Sequence, residues 1–209
     1  MKPNRRVHIG LDFDNTLIDY DGVFHQVALE KGLIDEHVPV SKMAVRDSLR
    51  ERDQEDDWTE LQGYVYGMRL SDAAPYQGVL DFLKKARAED MTVSIVSHKT
   101  RHPYRGPRYD LHAAARKWIE NGLCDDEGAL VPMERVYFHE TKPEKINRIG
   151  SEKCDVFVDD LPEILTASGF PESTRAILFD PSFHHRDMTS SGLTLMHHWR
   201  DFDTVLAEL

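Results

Sequence analysis

The sequence predicts an α/β fold, a Rossmann-like parallel sheet with helices on both faces and a small helical cap inserted after the first strand. Short apolar runs, partly β-branched, alternate with helical patterns, which favours a parallel sheet with right-handed crossovers. Four of these runs end in polar residues, and ligands bind at the carboxyl ends of such strands. Residues 18–74 lack a convincing strand, which predicts a helical insert.

The elements follow this plan in order. The first strand is predicted from Arg6 to Phe13, and it runs into acidic residues. Within the insert, helices are predicted near residues 22–31, 41–53 and 58–70. The later strands are predicted at 91–96, 154–158 and 175–179, with weaker candidates at 135–138 and 193–196. The later helices are predicted at 79–89, 110–121, 143–149, 162–168 and 202–209. The catalytic core is therefore assigned to residues 1–17 and 75–209, and the cap to residues 18–74.

The bulk composition excludes several classes of function. The 209 residues suffice for one domain with a modest insert, and 40% apolar with 30% charged residues is a globular balance. A formal net charge of −11 disfavours nucleic acid and anionic membranes as partners. The two cysteines have neither metal-type nor redox-type spacing, and no apolar run is long enough to span a bilayer. We expect a cytoplasmic protein; its oligomeric state is not predicted.

The sharpest local signal is Asp12-Phe13-Asp14-Asn15-Thr16 at the end of the first strand. Residues two apart in a strand face the same side, so the two carboxylates repel unless they share a cation or a proton. A hard cation such as Mg²⁺ suits oxygen ligands, and an aspartate can also act as a nucleophile that forms an aspartyl-phosphate. Taken alone, the motif is also compatible with a solvated strand end or a fragment of a calcium-binding loop.

Three later landmarks extend this motif: Ser97 after a strand, Lys142 before a helix, and the pair Asp159-Asp160 after another strand. In this order, with Asp-x-Asp-x-Thr at the first strand, they resemble the haloacid dehalogenase (HAD) superfamily. The segment 75–79 also resembles that family's turn into the helix after the cap. The resemblance extends from Val7 to about Phe179.

The resemblance implies a role for each catalytic candidate. Asp12 attacks phosphorus in line, and Asp14 protonates the leaving oxygen and then deprotonates the hydrolytic water. Ser97 donates a hydrogen bond to a phosphoryl oxygen. Lys142 balances the charge of Asp12 and the phosphoryl group. The gap between Lys142 and the acidic pair is short for the family, so Lys145 is the alternative.

The resemblance also implies a magnesium site. Its ligands are the carboxylate of Asp12, the backbone carbonyl of Asp14, and the pair Asp159-Asp160. The choice between Asp159 and Asp160 as the direct ligand is open, although the register of the family pattern favours Asp160.

A basic, aromatic segment, residues 99–109, directly follows the Ser97 landmark in an otherwise acidic chain. It lies beside the predicted phosphate site, so its arginines are candidates for binding a second anionic or planar part of the substrate. The alternative is an ordinary surface loop that forms ion pairs with the cap. The candidate substrate-binding residues are Thr16, Ser97, His98, Arg101, Arg105 and Arg108.

These assignments predict a hydrolase, a magnesium-dependent phosphomonoesterase acting on a small phosphorylated metabolite through an aspartyl-phosphate. Within the resemblance, an aspartate at position 14 favours phosphatases or phosphomutases over dehalogenases. A cap acts as a lid that excludes water and large substrates. The alternatives are a phosphomutase or phosphotransferase with the same site, and a non-catalytic phosphate-binding regulatory protein. The sequence does not separate a sugar phosphate from a nucleotide as the substrate.

Overall fold

The computed structural model of the chain describes residues 6–185, 188 and 193–207. Its strands are β1 (His8–Leu11), β2 (Ile18–Asp19), β3 (Ala74–Pro75), β4 (Thr92–His98), β5 (Cys124–Asp125), β6 (Gly128–Ala129), β7 (Val136–His139), β8 (Val156–Asp159), β9 (Arg175–Phe179) and β10 (Thr194–Met196). Its α-helices are α1 (Asp21–Glu30), α2 (Lys42–Arg50), α3 (Glu55–Met68), α4 (Val79–Ala88), α5 (Leu111–Gly122), α6 (Lys142–Glu152), α7 (Pro162–Leu165) and α8 (Phe202–Ala207).

Six of these strands form one sheet in the order β10-β9-β8-β1-β4-β7, and every neighbouring pair is parallel. The predicted parallel α/β fold is therefore confirmed. Both weaker strand candidates belong to the sheet, as β7 and β10 at its two edges. Strand β1 lies between β8 and β4, so the residues that follow these three strands meet at one rim.

The two faces of the sheet are covered by two separate apolar clusters. Alternate strand residues belong to different clusters, since Val156 and Val158 lie in one and Phe157 lies in the other. This follows from the two-residue period of a strand. Apolar residues of α4, α5 and α8 join the first cluster, and those of α6 and α7 join the second. The predicted covering of both faces by helices is therefore confirmed.

Between β2 and β3 the chain forms α1, α2 and α3, which add no strand to the six-stranded sheet. Their buried side chains, among them Phe24, Leu49 and Trp58, belong to the same apolar cluster as β1. A two-residue antiparallel pair, Ile18 with Pro75 and Asp19 with Ala74, holds the ends of this segment together. The domain boundaries at 17/18 and 74/75, and the function of the segment as a cap, remain predictions.

The structure differs from the predicted elements in several bounds and in two short strand pairs. Helix α7 ends at Leu165 rather than near residue 168, because the chain turns at Ala167, whose carbonyl accepts the amide hydrogen of Phe170. The pairs β2–β3 and β5–β6 were not predicted, since two-residue ladders leave no periodic pattern. The last two residues of the predicted helix 202–209 lie outside the described residues.

No helix within the described ranges is long and apolar enough to cross a membrane.

Candidate active site

A tight turn at the end of β1 presents the first motif. The amide of Asp12 donates to the Val158 carbonyl at 2.8 Å, which extends the sheet by one residue. The amides of Leu17 and Ile18 both donate to the Phe13 carbonyl, and this closes the turn. Asn15 has a φ of 55°, a left-handed conformation that asparagine tolerates better than most residues. The motif is thus held at the rim of the sheet, with Asp12 only 4% exposed.

Three carboxylates meet at this rim. One oxygen each of Asp12, Asp159 and Asp160 lie within 4.8 Å of one another. Burial, opposed by Lys145 and reinforced by Asp12, raises the pKa of Asp159 to about 7. Burial and the neighbouring Asp159 and Asp12 raise the pKa of Asp160 well above its usual range. Such a group is stabilised by a bound cation, and an all-oxygen donor set fits Mg²⁺.

The structure changes the assignment of the site lysine. Lys145 is 1% exposed, and its Nζ lies 2.6 Å from Asp12 Oδ1 and 2.6 Å from Asp159 Oδ2. These carboxylates outweigh the effect of burial and raise the pKa of Lys145 above its usual range. The side chain of Lys142 is 46% exposed and pairs with Glu163. The lysine that pairs with Asp12 in this structure is therefore Lys145, the alternative, and not Lys142. A catalytic role for the lysine remains a prediction.

The reason lies in the start of α6. Thr141 is its N-cap and forms a capping box with Glu144, so Lys142 is the first residue of the helix. At that position Lys142 reaches the surface. Lys145 and Ile149, four residues apart, share the buried face of the helix. The gap to Asp159 is shorter still from Lys145 than from Lys142, so the length of the gap did not indicate this choice.

Asp14 is bound by two groups that the sequence did not single out. The Nζ of Lys99 lies 2.8 Å from each Asp14 oxygen, and the Tyr20 hydroxyl donates to Oδ1. Burial alone would raise the pKa of Asp14, but Lys99 and Tyr20 outweigh it and lower the pKa. The Asp14 carboxylate is therefore ionised at neutral pH and lies next to two groups that carry protons. Its backbone carbonyl remains only a predicted metal ligand.

A third lysine reaches the site from α2. The Nζ of Lys42 donates to Asn15 Oδ1 at 3.1 Å, and Asn15 Nδ2 donates to Asp160 Oδ2 at 3.3 Å. Asn15 thus connects a cation of the helical segment to a carboxylate of the sheet. The Lys42 ammonium also lies 5.2 to 5.5 Å from the centres of the Tyr20 and Tyr66 rings, within the range of cation–π attraction.

The two predicted hydroxyl groups are both buried. Thr16 is 0% and Ser97 is 1% exposed, and neither Oγ1 of Thr16 nor Oγ of Ser97 has a hydrogen-bond partner among the described residues. A buried hydroxyl without a partner costs free energy unless a ligand supplies the bond. Both hydroxyls are therefore suited to bind a phosphoryl oxygen.

The segment after Ser97 lies beside the helical insert. Nε2 of His98 donates to the Glu140 carbonyl, so this nitrogen is already engaged. Arg101 pairs with Asp110, and Arg105 pairs with Asp56 of α3. Arg108 is exposed. These contacts match the alternative interpretation, a surface loop with ion pairs to the insert; a role in substrate binding remains a prediction.

Four residues of the site were not predicted from the sequence. Two of them, Lys99 and Asn15, had a local signal in the sequence, and the other two had none. Lys99 lies two residues after Ser97, so the alternation of a strand end could have placed it beside that landmark. Asn15 lies inside the first motif. Lys42 and Tyr20 reach the site through the packing of the insert, and no local pattern in the sequence indicates this.

No protein-family model matches the sequence, and no curated protein matches it. Solved structures do match. A haloacid dehalogenase-like hydrolase from Streptococcus pneumoniae is 14% identical with a TM-score of 0.63, covering 96% of this chain and 98% of that one. A HAD-superfamily hydrolase from Ehrlichia chaffeensis is 15% identical with a TM-score of 0.56, covering 97% and 96% of the two chains.

A third similar structure carries ligands. A HAD-family hydrolase from Deinococcus radiodurans, solved with bound phosphate and sodium, is 17% identical with a TM-score of 0.59, covering 97% of this chain and 96% of that one. At these identities the likeness concerns the fold. The chain therefore has the fold of the HAD hydrolases over nearly its whole length.

Proposed function

We propose that the chain is a hydrolase of the HAD superfamily that cleaves small phosphate monoesters in a magnesium-dependent reaction through an aspartyl-phosphate on Asp12. The observation that carries the proposal is the placement of Asp12. Its carboxylate is buried, bonded through Oδ1 to Lys145, and grouped with Asp159 and Asp160 at the carboxyl edge of a parallel sheet. The phosphate bound to the similar Deinococcus radiodurans protein supports the substrate class.

Each group at the rim has a part in this reaction. The Asp12 carboxylate attacks phosphorus, forming an acyl phosphate bond as the bond to the leaving oxygen breaks. Asp14 is ionised in this structure, so it first takes up a proton from solvent as the ester binds. It gives this proton to the leaving oxygen and then removes a proton from the water that hydrolyses the acyl phosphate. Ser97 and Thr16 donate to phosphoryl oxygens. Catalysis of this kind depends mainly on positioning and on charge stabilisation.

A cation at the carboxylates would supply positive charge against the phosphoryl oxygens. Asp12 and Asp160 are the side chains placed to hold it. Asp159 is the weaker candidate for direct ligation, because the Lys145 Nζ lies 2.6 Å from its Oδ2 and the Leu161 amide donates to its Oδ1. This agrees with the family register, which favours Asp160.

The test is phosphate release from p-nitrophenyl phosphate and from a panel of phosphorylated metabolites. We expect activity with Mg²⁺, loss after treatment with a chelator, and recovery when Mg²⁺ is returned. Asp12→Asn removes the nucleophile and should abolish turnover while the fold is kept. Full activity after chelation, or substantial activity of Asp12→Asn, would contradict the proposal.

A further inference from the structure

A cavity of about 490 Å³ opens beside the carboxylate cluster. Its inner end is lined by Asn15 and Asp160, and its outer walls come from α2, α3 and the segment 180–185 after β9. The volume is within the range that holds a small metabolite. A substrate whose phosphate lies at Asp12 would extend its remaining part into this space.

One face of α2 supplies the cations of this cavity. Lys42, Arg46 and Arg50 all line it, and they are spaced four residues apart. Since an α-helix rises about 1.5 Å per residue, successive members of this row lie roughly 6 Å apart along the axis. Lys42 marks the inner end through its bond to Asn15. Arg46 therefore lies about one helical turn further out.

The carboxylates that line the cavity are already engaged. Asp21 accepts the Lys42 amide hydrogen at 2.8 Å, and Asp180 accepts the amide hydrogens of His184 and His185. Glu55 holds Arg50 in a two-point ion pair, with bonds of 2.6 and 2.9 Å. The fourth lining carboxylate, Asp160, belongs to the proposed metal site.

Arg46 is paired differently. Its partner is its own neighbour, Asp47, which is 51% exposed and contacts Arg46 through a single oxygen, Oδ1. Asp47 is not one of the described residues that line the cavity. An exposed pair of this kind is weak, so a ligand anion can replace it. A guanidinium favours such replacement because its fork binds carboxylate and phosphate through two parallel bonds.

The cavity also has apolar walls. Trp58, Tyr76, Phe179 and Leu161 line it, and these side chains suit an apolar or ring-shaped substrate body. The arginines of residues 101–108 do not line this cavity in the described part of the chain.

From this arrangement we propose that Arg46 is a specificity residue and that the substrate is a phosphate monoester with a second anionic group, carboxylate or phosphate. Lys42 contacts the phosphoryl end, and Arg46 binds the second anion about one helical turn away. The inference rests on the proposed phosphatase function and gives that function a substrate class.

The test compares three esters of equal chain length: butyl phosphate, 4-phosphooxybutanoate and butane-1,4-diyl bisphosphate. We expect wild-type kcat/KM to favour the two esters with an anionic tail over butyl phosphate by at least about tenfold, the scale of a charge-assisted hydrogen bond pair. The ratio of the carboxylate ester to the bisphosphate identifies the second anion. Arg46→Gln should remove most of this preference by raising KM for the tailed esters, while butyl phosphate is unaffected.

Two further variants serve as controls. Arg87→Gln removes an arginine of α4 that pairs with Asp125 and does not line the cavity, and it should leave the preference unchanged. Asp47→Asn releases Arg46 from its partner and should strengthen the preference. Circular dichroism verifies that each variant is folded.

Three results would overturn the inference: no preference in the wild type, equal losses on all three esters in Arg46→Gln, or an effect of Arg87→Gln equal to that of Arg46→Gln. Hydrolysis of butyl phosphate without any preference would refute the subsite and leave the phosphatase proposal standing. If no ester is hydrolysed, calorimetric binding of the same esters to Asp12→Asn with Mg²⁺ decides the matter. Tighter binding of the tailed esters that is lost on adding Arg46→Gln supports the subsite; equal affinities refute it.

Discussion

Two lysines three residues apart have opposite environments, and this allows a sharp test at the level of single residues. Lys145→Gln removes the cation between Asp12 and Asp159, whereas Lys142→Gln removes one side of an exposed pair with Glu163. We expect Lys145→Gln to lower kcat/KM for p-nitrophenyl phosphate by about 10²–10³, the scale of a lost electrostatic contact at a reacting group. Lys142→Gln should stay within about twofold of wild type, because exposed pairs contribute ~0–1 kcal/mol.

Thermal unfolding of both variants separates stability from catalysis. Lys145→Gln leaves buried carboxylates without their partner, so its melting temperature should fall as well. Added Mg²⁺ should restore part of that loss if a cation binds to the same carboxylates. Equal activities for the two variants would contradict the placement of Lys145 in catalysis.

The effect of replacing Asp14 should depend on the leaving group of the substrate. Asp14→Asn loses proton transfer, which typically contributes ~10²–10⁴ in rate. An alkyl phosphate needs its departing oxygen protonated, whereas p-nitrophenolate leaves largely unaided. We therefore expect Asp14→Asn to slow the first chemical step much more for alkyl esters than for p-nitrophenyl phosphate, as measured by single-turnover kinetics.

The same variant should also reveal the site of the covalent intermediate. Without the base that activates water, the phosphoenzyme formed from the aryl ester should persist. Mass spectrometry of the trapped protein should place the phosphate on Asp12. Phosphate on Asp14, Ser97 or a histidine would contradict the mechanism.

How much of the site could be predicted follows from how each residue is placed. Asp12, Ser97 and the pair 159–160 lie at ends of parallel strands, and the local pattern alone brings strand ends to one rim. The choice between Lys142 and Lys145 depends on where α6 begins, and helix boundaries are the least certain part of a sequence-based prediction. Lys42 reaches the rim from another segment, through packing that no local pattern records.

Among the elements, α3 meets the segment after β4 through two glycines on one face. A Cβ added at Gly63 would lie 2.7 Å from Pro103 Cβ, and one added at Gly67 would lie 2.5 Å from Tyr109 Cβ and Cγ. Glycine therefore permits a close approach between the helical insert and the segment that begins at Lys99. The positions of the insert and of that segment are coupled through this contact.

Gly67→Ala tests the coupling. Either α3 or Tyr109 has to move, and overpacking of this kind costs about 1–3 kcal/mol in the free energy of unfolding. Because Lys99 precedes Tyr109 in the same segment and lies 4.6 Å from the Tyr66 ring, we also expect lower kcat. Denaturant unfolding and steady-state kinetics measure the two effects.

Gly22→Ala is the matched control, since Gly22 lies in α1 and a Cβ there meets no atom within 4 Å. It should leave activity unchanged and slightly increase stability, because alanine favours a helix more than glycine does. If Gly67→Ala changed neither the free energy of unfolding nor kcat, the contact between α3 and the segment that begins at Lys99 would be loose.

For the whole molecule, the topology was the most predictable feature and the internal organisation the least. Alternating strands and helices determine a parallel sheet, because right-handed crossovers leave few other arrangements. The helical patterns of residues 18–74 do not reveal that the buried faces of α1–α3 join the same apolar cluster as β1. That continuity arises from contacts between residues far apart in the sequence.

The shared cluster leads to a prediction about cooperativity. Phe24 of α1 packs against Trp58 and Tyr66 of α3, and Tyr66 packs against Tyr20, which follows the turn at residues 12–16. On the core side, the Trp118 indole donates to the Ala73 carbonyl at the end of the insert. Unfolding the insert alone would expose apolar surface on the insert and on the core that it covers. We therefore expect the insert and the core to unfold together in urea.

Trp58 reports on the insert, so the fluorescence difference between wild type and Trp58→Phe isolates its transition, while far-UV circular dichroism follows the whole chain. The midpoints should coincide, because coincident transitions by different probes indicate all-or-none unfolding. A matched Trp118→Phe variant isolates the core signal and should give the same midpoint after correction for its own change in stability. An insert transition at clearly lower urea would show that residues 18–74 form an independent unit whose packing against the turn at residues 12–16 is easily released.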